Sequence, residues 1–388
     1  DLEISEPAGG PIGQLLPLPA NPPLAVTAKG NGALTDFTAD LSLATQGQPR
    51  LTGTVQIREQ DSPQPGTGFE AAFSGDVTPF LQDQYHSFFG SSSELTANGI
   101  RLQDGQMELS KLNLQTNALQ LTGDARINAQ GQPEHAALTG TLGTAAGPVQ
   151  LPIPGAPVTL RHAQIDAALD AGTDPGWTLT ATVEGLSHSA GQLGQMTLRG
   201  SGDFDIGTAL SADGQLRAGL LGLSLSDPAL GAALGNSLTL TTGFDMVVGE
   251  TLALTDTLLR GPGLEANVAL NLTDLSGQQQ ITSNADLNVR DLARFSDLAQ
   301  RPLTGSGTVT ASAAGKLAPR ELDVIVTSTL QDLTTGIPQA DAIMAGTYRL
   351  RADAQTKADG IDLRGLRFAG DALEATVSGF VSPTNPDI

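Results

Sequence analysis

The sequence predicts an all-β fold, built as one elongated, curved antiparallel sheet, and three observations predict it. Apolar residues recur every second position: Trp177, Leu179, Ala181 and Val183; Leu238, Leu240, Thr242, Phe244 and Met246; Leu51, Gly53, Val55 and Ile57. A period of two gives each strand one apolar and one wet face, the pattern of antiparallel sheets. Next, one pattern recurs at one length, in residues 107–127, 252–272 and 361–381, whose first, third, eighth, thirteenth and last positions are apolar in all three. Last, 46 glycines and 23 prolines stand beside an aromatic content of 4%, too little bulk for a thick core.

The recurring segments read as hairpins. Their centres are "QTN", "GPG" and "AGD", each turn-prone. In the first strand the apolar residues change parity: Leu109 to Leu112 and Leu363 to Leu366 are steps of three, which a β-bulge or bend absorbs. A bend at the same place in successive strands folds a sheet lengthwise into a trough. Three unrelated amphipathic hairpins are the plainer alternative. Short helices are predicted near 77–90 (Phe80, Leu81, Tyr85, Phe88, Phe89), near 226–235 with Asp227 as N-cap, near 289–301 ended by Pro302, and near 337–345 opened by Pro338. In the 289–301 segment Leu292, Phe295, Leu298 and Ala299 share one helical face. Proline-rich loops are predicted near 62–68 and 147–157, and the first twenty-odd residues as an extended lead-in. None of these marks a domain boundary, so residues 1–388 are expected to form one continuous elongated segment.

Composition excludes several function classes. With 41 acidic and 20 basic residues the net charge is −21, so nucleic acid and anionic lipid surfaces are poor electrostatic partners. No cysteine is present, which excludes disulfides and thiolate metal sites and leaves the compartment open. No apolar run is long enough to span a bilayer, and Asp1 in place of an initiator methionine is expected of a processed protein or an excised segment.

Catalytic chemistry finds no footing. His86, His135, His162 and His188 are scattered without metal-ligand spacing. Asp203 and Asp205 share a strand face, where the solvated side of the strand opposite Phe204 and Ile206 accounts for them better than cation binding or acid–base work does. "GSGTVTASAAGK" at 305–316 lacks phosphate-loop spacing, no GxSxG elbow occurs, and Asn271 begins a sequon common by chance. The expectation is a protein that is not an enzyme, with no catalytic residue, cofactor or metal.

"VTPFLQDQYHSFFG", "VRDLARFSDLAQRPLTGSG" and "TGIPQADAIMAGTYRL", with the Leu-x-Leu strands between them, resemble the TamB family of bacterial envelope proteins. The resemblance is densest from about 236 to 388. TamB-like proteins, the wider AsmA-like group and chorein-type bridge proteins are β-sheet troughs (the β-taco fold) with an apolar interior. The family is held in the inner membrane, reaches across the periplasm, and is associated with phospholipid movement and, with TamA, with outer-membrane protein assembly. The resemblance therefore implies a periplasmic interior segment of an inner-membrane-anchored protein. Anchor and TamA-like docking regions would lie outside these residues, and the protein would act as a single chain.

At roughly 12 residues per strand and turn the chain supplies on the order of 30 strands, a sheet of order 150 Å at about 4.8 Å spacing. Each buried methylene contributes about 0.8 kcal/mol, so an apolar groove would lower the barrier to moving a phospholipid acyl chain through water while its headgroup stays wet. The candidate lipid-facing residues are Met107, Leu109, Leu112, Leu114, Leu119 and Leu121 in the first segment. In the second they are Leu252, Leu254, Leu264, Val268 and Leu270; in the third, Ile361, Leu363, Leu366, Phe368, Leu373 and Val377. Small residues such as Gly123, Ala266 and Ala375 would keep such a groove from filling itself. The alternatives are a self-filled β-sandwich, a surface adhesin built from β-repeats, and a scaffold or chaperone whose free edge pairs with incoming outer-membrane strands.

Overall fold

A computed structural model describes residues 1–10, 22–33, 35–61, 65–153, 155–172, 175–207, 209–318, 320–343, 346–357, 360–370 and 373–381. Residues 11–21 of the expected lead-in, part of the 62–68 loop and Asp371 of the "AGD" turn lie outside them, while Leu2–Glu6 of the same lead-in is a paired strand. The fold is all-β and antiparallel, and the chain groups into two compact units, Asp1–Ser189 and Ala190–Ile388.

The first unit is a meander whose neighbours in sequence are neighbours in the sheet. Its strands are β1 (Leu2–Glu6), β2 (Leu24–Ala33), β3 (Asp36–Thr45), β4 (Gln48–Gln60), β5 (Gly66–Gly75), β6 (Ser93–Leu102), β7 (Met107–Gln115), β8 (Leu119–Ile127) and β9 (Pro133–Gly143). β10 (Val149–Gln150) and β11 (Thr159–Leu160) follow, then β12 (His162–Asp170) and β13 (Gly176–His188). β12 lies between β9 and β13, while β10 and β11 pair with each other beyond the end of β9. The stretch 147–157, expected as a loop, thus yields a short strand.

The second unit repeats the plan. β14 (Gly191–Asp205), β15 (Ser211–Leu221), β16 (Ser224–Leu225), β17 (Ser237–Val247), β18 (Thr251–Gly261) and β19 (Leu264–Thr273) lead to β20 (Gln280–Val289), β21 (Thr304–Lys316), β22 (Glu321–Thr334), β23 (Thr347–Lys357), β24 (Gly360–Ala369) and β25 (Glu374–Val381). Here the order is β14, β15, β17 and onward in sequence to β25, with β16 continuing the lane of β15 against β14. Neither unit closes into a barrel: among the described residues β1 pairs only with β2, and β25 only with β24.

Each three-residue step is a bulge. Register shifts between Leu109 and Leu112 in β7 and between Leu363 and Leu366 in β24. The middle segment has the same irregularity at the same offset, between Leu254 and Thr257, with Asp256 in the left-handed region at φ 49°. One extra residue restores parity, so apolar side chains on both sides of the bulge stay on one face.

In both units the helical turns gather at one margin of the sheet. Two 3₁₀ turns (Thr78–Phe80, Asp83–Tyr85) and α1 (His86–Phe89) replace the single helix expected at 77–90. The orphan carbonyls of α1 are met by the β7–β8 turn: Ala118 N–H donates to Phe88 O at 3.0 Å and Asn117 N–H to Phe89 O at 3.1 Å. Phe88, Ala118 and Val149 form a small buried cluster there. In the second unit α2 (Pro228–Leu234) is N-capped by Asp227, whose carboxylate accepts from Ala229 N and Leu230 N. A 3₁₀ turn (Leu292–Phe295) followed by α3 (Ser296–Ala299), and α4 (Pro338–Ile343), occupy the same margin. The change of helix type at Phe295 turns Leu298 outward, away from the face it was expected to share with Leu292.

At the β18 bulge a pair of threonines is buried on the apolar side. Thr257 Oγ1 lies 2.6 Å from Thr242 Oγ1, and Thr242 donates to Gly243 O at 2.9 Å. Thr242→Val therefore orphans the Thr257 hydroxyl and should destabilise the unit by about 1–3 kcal/mol. Thr257→Val leaves Thr242 satisfied and should cost less, and the double variant should be no worse than Thr242→Val. Urea unfolding midpoints of the three variants check this.

Candidate functional site

Antiparallel register carries one apolar face across successive strands. In the first unit one row runs Leu41, Gly53, Phe73, Leu95, Leu114, Leu121, Gly140, Ile165 and Ala181, and the next runs Ala39, Val55, Ala71, Ala97, Leu112, Gly123, Leu138, Ala167 and Leu179. In the second unit Phe244, Leu254, Leu270, Ser283, Ala313, Val324, Ala354 and Leu363 form one such row. The opposite face carries Thr, Asn, Asp and Arg at the alternating positions.

Apart from the small residues Ala39, Gly140 and Ala181, which are buried, these rows are not sealed. The mid-strand leucines Leu198, Leu216, Leu240, Leu254, Leu270, Leu287, Leu350 and Leu366 are all half-buried. Full burial concentrates at the helix-bearing margin, in Phe88, Val149 and Leu160 of the first unit and Leu238, Leu264, Val289 and Tyr348 of the second. Tyr348, 1% exposed, stacks on Phe368 with ring centroids 5.0 Å apart.

Glycines keep the apolar layer thin, by a route other than empty space. A Cβ at Gly123 would stand 2.7 Å from Leu138 Cδ2, one at Gly99 2.7 Å from Phe69 Cζ, and one at Gly307 2.7 Å from Leu330 Cδ2. Large side chains lie down over the glycine of the neighbouring strand. The expected role of Gly123 as a gap in the wall is corrected accordingly: it is the seat of a leucine.

Of the predicted site residues, Leu109, Leu112, Leu114, Leu119, Leu121, Leu252, Leu254, Val268, Leu270, Leu363, Leu366 and Phe368 are half-buried in these rows. Met107, Ile361 and Val377 are exposed at 38%, 47% and 58%. Leu373 lies in the turn before β25, and Leu264 is buried at 4% at the margin, where it presents little surface to a ligand. Val309, Val326 and Leu350 extend the same face and were missed; the alternation of β21–β23 was the signal that could have found them.

The polar face holds the charge clusters. Arg364, in the β24 bulge, pairs with Asp323 and with Asp353 at 3.5 Å, tying β22, β23 and β24 together. Asp203, Asp213 and Asp245 face one another across β14, β15 and β17. His135 Nε2 lies 2.9 Å from Asp124 Oδ2 and its Nδ1 3.2 Å from Asp170 Oδ2. Among the described residues no group of three or more His, Asp or Glu has the geometry to hold a metal ion, and no helix is long and apolar enough to cross a membrane.

No family model, curated protein or solved structure matches the chain. What the site can do therefore rests on its own geometry, an unsealed apolar face backed by a polar one.

Asp170 carries a testable electrostatic role. Its carboxyl is held below the ordinary value of 3.8, first by the Gly172 N–H it accepts, then by the His135 hydrogen bond and the positive charges of His135 and Arg126. A depressed carboxylate stabilises the fold above its unfolded pKa, and that contribution is lost as pH falls through the folded value. Asp170→Asn should lower the urea midpoint at pH 7, and the gap to the parent should close as pH falls below 3.8.

Proposed function

We propose that this chain is a periplasmic segment of an inner-to-outer membrane bridge that carries phospholipid acyl chains along the apolar face of its sheet, contributing to outer-membrane biogenesis. The observation that supports this reading is the half-buried state of the mid-strand leucines, strand after strand, while most of the fully buried large apolar side chains sit at the helix-bearing margin. A core that existed only to hold the fold would seal those leucines. Left open, they offer a hydrocarbon-like surface on which an acyl chain recovers about 0.8 kcal/mol per methylene withdrawn from water. A phospholipid headgroup would stay hydrated meanwhile, because the leucines beneath it remain partly exposed. The bulges at the same offset in β7, β18 and β24 bend their strands alike, which suits a wall that wraps an extended ligand. The resemblance to TamB-like proteins points the same way, and on this reading docking to a TamA-like barrel falls to regions outside these residues.

The reading is tested by photocrosslinking in cells from Leu254, Leu270 and Leu363, all half-buried on the face. Phospholipid adducts at these positions are expected, with few from Asp286 on the polar face. Adducts to outer-membrane protein chains without lipid would favour the strand-pairing scaffold and sink the carrier reading. As a companion, Leu254→Arg should abolish co-purifying phospholipid while moving the unfolding midpoint little, because its guanidinium can reach water from an unsealed face. Global unfolding of that variant would instead indicate a close-packed core.

A further inference from the structure

The polar face of the second unit holds a cleft that the carrier reading leaves unused. It has a volume of about 390 Å³ and is lined by Thr197, Gly219, Thr239 and Arg260, with Leu221 and Pro262 beside them. Across the strands Thr197 faces Gly219, Gly219 faces Thr239, and Thr239 faces Arg260. The glycine makes the hollow: a Cβ there would meet Thr197 Oγ1 at 3.0 Å.

One row along the same face, Arg199 stands directly across from Arg217, which faces Thr241 on its other side. Like charges directly opposed on antiparallel strands are destabilising. On a chain of net charge −21, with carboxylates to spare, the pair is conspicuous. Among the described residues neither arginine takes part in an ion pair. The other opposed pair, Arg351 and Arg367, differs in that Arg367 is neutralised by Glu374 at 2.5 Å. Asp203 and Asp213 lie two rows beyond the Arg199–Arg217 pair, past Ser201 and Gln215, about 14 Å along the strands at ~3.4 Å per residue. Arg260 is already engaged by Glu265 at 3.0 Å.

We propose that Arg199 and Arg217 form the anion-binding half of a site for a phosphate ester, whose organic part occupies the adjoining cleft. Two guanidinium forks side by side match the oxygens of a phosphate, and its charge removes their mutual repulsion. The Thr197 and Thr239 hydroxyls lie where ester or glycerol oxygens would follow, and Leu221, 54% exposed, gives the cleft an apolar contact. The net negative charge disfavours diffuse binding to anionic surfaces, so affinity would be local to this pair. The site lies on the face opposite the apolar rows and does not depend on the carrier reading.

Calorimetric titration of the full chain tests the proposal, with sn-glycerol 3-phosphate and, below its micelle concentration, dihexanoylphosphatidylglycerol as probes. Saturable one-to-one binding is expected, weakened at least about tenfold in Arg199→Gln/Arg217→Gln by loss of charge-assisted bonds. Gly219→Val, which fills the hollow without changing charge, should weaken it as well. The unliganded double variant should melt no lower than the parent, because a repulsive pair has been removed, so loss of binding cannot be laid to misfolding. Tighter binding of phosphatidylglycerol by about tenfold identifies a lipid headgroup as the source; equal or weaker binding identifies a soluble phosphate ester. Absence of saturable binding, affinity unchanged in both variants, or inorganic phosphate binding as tightly as either ester would overturn the proposal.

Discussion

Everything in this structure depends on keeping side-chain parity in phase across neighbouring strands. A period of two means that one slipped residue exchanges the apolar and polar faces of a whole strand. The register avoids this by pairing strands that are neighbours in sequence, through short turns, and by inserting single bulges where the apolar pattern steps by three. At β7 and β24 the bulge lets Leu109 and Leu112, or Leu363 and Leu366, share a face. At β18 Leu254 and Thr257 do the same, and the Thr257 hydroxyl is satisfied by Thr242 from the next strand. Without these insertions the leucine rows would break at mid-strand.

Much of this was legible in the sequence because it is local. Alternation from Trp177 to Val183 marked the apolar face of β13, and the three-residue steps marked two of the three bulges. The third was hidden by chemistry: a pattern search treats Thr257 as polar, and only the partner Thr242 makes it a buried residue. Asp227 could be read as a cap because capping needs only the next three residues. The fate of Leu264 was not legible. It looked equivalent to Leu119 and Leu373, but it lies at the margin where α2 and the turn at Leu292–Phe295 meet, as Arg294 donates to Ala232 O at 3.2 Å across 62 residues.

The helix-bearing margin and the half-buried apolar face contribute to stability in different ways. Helical turns need a surface to bury one side against, and they find it at a single edge in each unit, which is where the fully buried Phe88, Leu238 and Tyr348 sit. Away from that edge, stability comes from backbone ladders and in-plane packing between neighbouring strands. Arg364 bridging Asp323 and Asp353 adds a tie on the polar side. That ladders do much of the holding explains how an aromatic content of 4% suffices.

The same division decides what a truncated side chain leaves behind. Removing methylenes from a sealed site loses their transfer free energy and adds the penalty of a cavity, together about 2–5 kcal/mol for a leucine. At Leu238 both terms apply, because its Cδ2 fills the space over Gly261 at the closed margin. At Leu254 or Leu350, both half-buried, the space left by truncation is partly open to water, so the cavity term shrinks. A face of this kind can change its residues at small expense to the fold, provided they stay apolar.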